Sequence, residues 1–467
     1  MAKEVLGLST KGADQGPRFH SEPARRVSFR VSRGRVRGRT PTADVETTLT
    51  LEEQIRDLSS SIINTYSRFD MHLKTQGDFV VDGYFVGPSD AALILPLQEE
   101  EALARFREDI GKIGKLGFKR LPPEWHLIHD NLVSTVTYFE ECERLSRGEK
   151  KMDYREYLLK VSGIELRLIP WKVLDDEDYS KALEILSQIG LKFNGRNPAS
   201  VRAALFTYKQ FKKYDSPVEI SERFKFYDNG HRFQVGMALG GLDLRKVDFR
   251  TVWVVENAWW RMYERMGLEG NTLFANWHER HRQSWDEGSI EMYATHEPLH
   301  FYYGYLVREE ILKGNLDPAA GILPIPSPGC HQFEGIAQTV SHFASIDLSL
   351  DAQLAIGLYR LEKRALSNGL YLLETDPTLT IDQVADRIRT YIPLKNPEEI
   401  RTLLEEGTTR PFERAYLPIY GLADYEFMTF CIKANPQQKA KLLQLALSRP
   451  MTPAQLRQQE DRILKAA

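Results

Sequence analysis

From about residue 48 the apolar positions recur with helical spacing. Leu51, Ile55, Leu58, Ile62 and Tyr66 fall three or four residues apart, which lines one face of a helix. They predict one long helix within 47–78. The same pattern predicts helices near 98–114, 123–146, 153–164, 178–190 and 198–213. Several ends are marked by capping chemistry. Asn197–Pro198 reads as an N-cap followed by proline at the first helical position. Thr380-x-x-Gln383 reads as a capping box ahead of Val384, Ile388 and Tyr391. Thr452–Pro453 starts a final helix carrying Leu456 and Ile463.

Strand signals are scarce. The stretch 79–87 (FVVDGYFVG) is short, aromatic and β-branched, and Asp82–Gly83 within it predicts a hairpin turn. The stretch 219–248 reads as irregular, with turns at Asn229–Gly230 and Gly240–Gly241, and a division of the chain is expected near 215–250. The Pro- and Gly-rich segment 315–329 (NLDPAAGILPIPSPG) reads as a long loop between two helical stretches. The expected fold is mostly α: a large multi-helix catalytic body with at most a small β ribbon, preceded by a disordered basic tail. The expected regions are a tail over 1–47, an N-terminal helical region over 48–215 and a metal-site region over 216–467. The last two can form one compact domain.

Composition changes this picture little. With 467 residues, 42% apolar and 27% charged, the chain can bury a sizeable core. No apolar run approaches the ~18–20 residues that span a bilayer. The first twenty residues contain no apolar signal core. The three cysteines, Cys142, Cys330 and Cys431, form no C-x-x-C pair. A cytoplasmic, non-membrane protein is expected, and any metal must rest on His and carboxylate rather than thiolate. Charge is uneven. Residues 1–47 hold ten Lys/Arg and five Asp/Glu, so the remainder carries −3 − (+5) = −8. The segment 25–39 (RRVSFRVSRGRVRGR) is a solvated basic arm. It leaves nucleic acid open as a partner, without the aromatic or motif context that base recognition needs.

The chemistry concentrates in 295–304, THEPLHFYYG. It spells H-E-x-x-H with His296, Glu297 and His300. On a helix, residues four apart share a face, so both imidazoles can reach one Zn²⁺. Glu297 then projects toward the open coordination position, where it can take a proton from a water acidified by the metal. A third protein ligand is required. Glu334, 34 residues after His300 in FEGIAQ, supplies a carboxylate from a second helix, and Gly335 and Ala337 let that helix pack closely. Gln338 and His342 lie one and two turns beyond Glu334, as candidates to fix the ligands' orientation. Pro298 stands inside the motif. It cannot donate to the carbonyl of Ala294, so the helix either bends there with both histidines aligned or begins at Pro298.

HEPLH followed by FEGIA resembles the glutamate-zincin metallopeptidases, and most closely the large helical bacterial DUF885 family. The matching positions are His296, Glu297 and His300, then Glu334, Gly335 and Ala337, then Tyr420 beside Gly421 in AYLPIYGLADY. Glu156–Gly163 is similar to the family's middle region, and the likeness covers about 150–430. The His-to-His spacing here is two residues shorter than in that family, and Ile336 stands where the family has Trp. The resemblance implies hydrolysis of a peptide or another amide by one zinc per chain, with Glu297 as general acid/base. It also implies a Tyr or His that steadies the oxyanion, for which Tyr420, Tyr416 and His331 are the candidates.

Rival readings use the same residues. Two His and one Glu also suit Fe²⁺ in a non-heme oxidoreductase, and Glu297-x-x-His300 matches half of a di-iron bundle motif. A non-catalytic scaffold on the same fold would need no Glu297. His278-Glu279-Arg280-His281 reads as a charged helix face. No P-loop and no G-x-S-x-G motif occurs.

Overall fold

The computed structural model describes residues 49–76, 79–85, 95–257, 261–266, 270–282 and 284–466. The Arg-rich tail, and the end of the expected 79–87 strand, lie outside them. Sixteen α-helices and five short strands are present among the described residues. From Leu58 onward the chain forms one compact unit.

Helices form where periodicity and caps agree. The helices Glu99–Leu116, Trp125–Ser146, Tyr154–Ser162, Ser180–Gln188 and Pro198–Lys212 match the expected stretches. Asn197 caps the last of these through its side chain. Capping boxes close the N-termini at Thr380 and Thr452. Of the expected irregular region 219–248, the turn at Gly240–Gly241 is present but the first part is a helix instead. Pro217–Ala238 is a single 22-residue helix, capped by Ser216. Asn229–Gly230 lies within it, because a turn dipeptide inside a capped and packed helix is overridden by its neighbours.

The expected hairpin at Asp82–Gly83 does not form. Strand β1 (Val81–Tyr84) runs through it. Three further strands, β2 (Phe249–Val254), β3 (Met262–Arg265) and β4 (Asn271–Asn276), form a sheet in the order β2-β4-β3. In it β2 runs parallel to β4 and β3 runs antiparallel to β4. The last strand, β5 (Ile322–Pro324), lies inside the expected loop 315–329 and pairs antiparallel with β1. A single bridge from Gly83 to Met266 brings β1 alongside the end of β3. These pairings join segments some 180–240 residues apart, so local turn chemistry could not reveal them.

Four helices hold the centre: α1 (Glu287–Leu312), α2 (Gly329–Phe343), α3 (Leu350–Thr375) and α4 (Pro411–Lys433). Most of α1 is buried, with apolar side chains on every face, the signature of a helix at the middle of a core. Two glycines set the spacing. A Cβ on Gly335 would overlap the Phe427 ring, and one on Gly421 would lie 2.6 Å from the Lys363 carbonyl oxygen. Glycine therefore lets α2 and α3 approach α4 closely. Buried arginines tie the helices together. Arg364 Nη1 lies 2.7 Å from Asp178 and its Nη2 2.7 Å from Asp424, while Arg414 lies 2.6 Å from Glu141.

Candidate metal centre

The site begins with α1. Its N-terminus is fixed by a capping box between Asp286 and Ser289, and the helix then runs unbroken through Pro298. His296 and His300 therefore share a face, and their Nε2 atoms lie 3.2 Å apart. The His300 ring stacks on Phe333 of α2 with centroids 3.8 Å apart, which fixes its plane. Glu334, on the same α2 helix, brings Oε2 to 3.4 Å from His296 Nε2. Its other oxygen, Oε1, accepts a hydrogen bond from the Tyr416 hydroxyl of α4 at 2.7 Å. Three helices thus place two imidazoles and one carboxylate together. The ligating atoms of His296, Glu297 and His300 also lie within 4.8 Å of one another.

This arrangement fits a divalent cation. Glu334 is only 4% exposed, and its Oε2 is a buried acceptor without a hydrogen-bond partner. Such atoms are costly unless something absent from the protein chain engages them. Two ligands at about 2.0–2.1 Å from a tetrahedral zinc lie roughly 3.3–3.4 Å apart, and the two edges at His296 measure 3.2 and 3.4 Å.

The electrostatics are strongly coupled. Burial pushes the Glu297 carboxyl up to about 7, with the Glu334 charge adding to it against the pull of His296. Burial also lowers His300, to about 3, and the neighbouring His296 adds to this. Burial would lower His296 too, but Glu334 and Glu297 outweigh it and the net shift is upward. Burial would raise Glu334, but the two histidines and Tyr416 hold it below the ordinary carboxylate range.

Two acids that sequence reasoning missed join this group. Glu264 of β3 is 8% exposed and brings Oε1 to 3.9 Å from His300 Nε2. Asp82 of β1 hydrogen-bonds Glu264, and burial, with the Glu334 charge next, pushes its carboxyl up to about 7. Glu264 rises well above its ordinary range, through burial and then the Asp82 and Glu297 charges. Neither belongs to a metal motif. The signal available was an Asp in a short apolar strand, and the hairpin reading absorbed it.

The remaining expected residues divide. Tyr416, not Tyr420, touches the site directly. Tyr420 packs edge-on against Tyr416, with ring centroids 5.2 Å apart. His331 is fully buried and faces away to Glu426, with Nε2 3.1 Å from Oε2. Gln338 leaves a buried amide nitrogen without a partner. His342 lines a cavity with Arg360, Arg364 and Lys181, where Arg360 and not a site histidine is its main charged neighbour. Of the four-residue helix Glu279–Arg282, His281 is buried. Among the described residues, no helix is long and apolar enough to cross a membrane.

The chain matches no protein-family model and no curated protein. Among solved structures it is similar to the "putative lipoprotein from Colwellia psychrerythraea", with 11% identity and a TM-score of 0.47, over 91% of this chain and 78% of that one.

Proposed function

We propose that this protein is a zinc-dependent hydrolase acting on a peptide or related amide. His296, His300 and Glu334 would hold the ion, and Glu297 would be the general acid/base. The observation that carries this reading is the convergence of His296 Nε2, His300 Nε2 and the unpartnered Glu334 Oε2, with a fourth group, Glu297, beside both imidazoles. A scaffold would need the ligands alone, or none of them.

Held by His296, His300 and Glu334, a divalent cation would polarise a carbonyl and acidify a water. Glu297 accepts the proton that the water gives up as its oxygen bonds to the carbonyl carbon. It returns that proton to the nitrogen as the C–N bond breaks, releasing an amine and a carboxylate. A carboxyl beside both imidazoles is placed for both halves of that exchange. Tyr416 holds Glu334 in place through the 2.7 Å hydrogen bond to Oε1, leaving Oε2 free to ligate.

Elemental analysis of the purified protein beside Glu334→Ala tests the reading. One zinc per chain, lost in the variant, is expected. Iron in its place would move the assignment to a non-heme oxidoreductase, and absence of any metal would remove the hydrolase.

A further inference from the structure

The acids of the metal centre lie toward β1 and β3. Its α3 side carries the opposite charge. Lys363 and Lys395 each bring Nζ to 3.5 Å from a different oxygen of Glu362. Two ammonium groups thus share one carboxylate, leaving one net positive charge. The Lys363 side chain is only 16% exposed, and a desolvated ammonium is costly unless something pairs with it. Its Nζ lies 5.0 Å from the Tyr359 ring centre and 5.3 Å from that of Tyr420. Tyr420 packs on Tyr416, and Tyr416 donates to the metal-facing Glu334. Lys363 therefore lies beside the Tyr420–Tyr416 pair that reaches the ligand set, near enough for the Glu334 charge to act on it. An ammonium has three N–H donors, and the 3.5 Å contact to Glu362 leaves capacity for another acceptor.

We infer that Lys363 binds a carboxylate on the residue leaving the substrate, so that the preferred substrates are peptides ending in a free α-carboxylate. This rests on the metallohydrolase reading above. Tyr359 and Tyr420 form the aromatic wall beside that carboxylate. Hydrolysis then adds water across the last amide bond, giving a shortened peptide carboxylate and a free amino acid. Lys363 is a specificity residue here and takes no part in proton transfer.

The test uses zinc-loaded protein carrying Glu297→Gln, so that substrates bind without turnover. Four fluorescent, N-acetylated tripeptides end in Leu or Asp, each as the free acid and as the amide. Fluorescence anisotropy should show both acids binding at least tenfold more tightly than their amides. Adding Lys363→Met should bring acid and amide within twofold with zinc content unchanged, and Lys363→Arg should restore part of the preference. Equal binding of acid and amide, a preference that survives Lys363→Met, or no binding by any of the four would overturn the inference. Tight binding of the Asp amide alone would move the carboxylate to the side chain and overturn the terminal assignment. If native zinc-loaded protein cleaves none of the four while the acid preference stands, the hydrolase reading fails and the carboxylate site survives.

Discussion

Two buried polar clusters, one between α3 and α4 and one where α1 and α2 meet β1 and β3, are built on opposite rules. In the first, Arg360 and Arg364 face Asp178 and Asp424, two cations against two anions, at distances of 2.7–3.0 Å. The arginines hold Asp424 below the ordinary carboxylate range despite burial. In the second, four carboxyl groups, Asp82, Glu264, Glu297 and Glu334, meet two imidazoles, and three of the four are pushed upward by burial and by one another. Balanced charge makes a fastening between helices. Unbalanced charge is a cost to the fold unless a cation joins it, which makes the second cluster the candidate functional one.

The comparison can be broken most severely at Glu297. Glu297→Gln should retain zinc yet lose about 10²–10⁴ in turnover, read by metal analysis beside steady-state rates. The metal-free variant should also be at least as stable as the parent near pH 8. A carboxyl raised to about 7 in the fold keeps its proton while the unfolded chain loses it. Stability therefore falls as pH rises from the ordinary value toward 7, and glutamine removes that loss. Urea melts of the two metal-free proteins at pH 5 and pH 8 check the sign. A marked loss of stability in the variant at pH 8 would place Glu297 among the fastenings.

The balanced cluster should respond in the other direction. Arg364→Ala leaves Asp178 and Asp424 short of a buried partner, at a cost of about 3–5 kcal/mol in equilibrium unfolding. Unchanged stability would mean that the pairing is incidental. Smaller again is the effect of Tyr416→Phe, which removes the hydrogen bond to Glu334 Oε1. It should weaken zinc binding about 10–100-fold in competition with a chelator, leaving the fold intact. Smallest at neutral pH is the effect at His342, which burial and then Arg360 lower to about 3. The unfolded chain binds its proton first on acidification, so stability declines as pH falls from about 6.5 toward 3, by at most ~1.4 kcal/mol per pH unit. His342→Asn should flatten that slope.

The helical body, the caps at Asn197, Thr380 and Thr452, and the pairing of HEPLH with FEGIA were legible in the sequence. Each is written locally: a period of 3.6, a side chain that reaches its own helix end, two histidines one turn apart. Even the close approach at Gly335 followed from its missing side chain. Pro298 did not stop α1, because the buried flanks on both sides hold the helix where local preference alone would end it.

What only the tertiary structure decided is which distant segments meet. Asp82 reaches the site because β1 pairs with β5 and bridges to the end of β3, the strand that carries Glu264. Tyr416 displaced Tyr420 because four residues along α4 shift a side chain by a full turn, and the packing of α4 on α2 selects which turn faces Glu334. His331 and His342 were drawn to Glu426 and Arg360 by the same packing. Local sequence determines elements and caps through interactions a few residues long. The sign of the field at the candidate metal centre depends on contacts between segments that are far apart in the chain, and those exist only once the chain has folded.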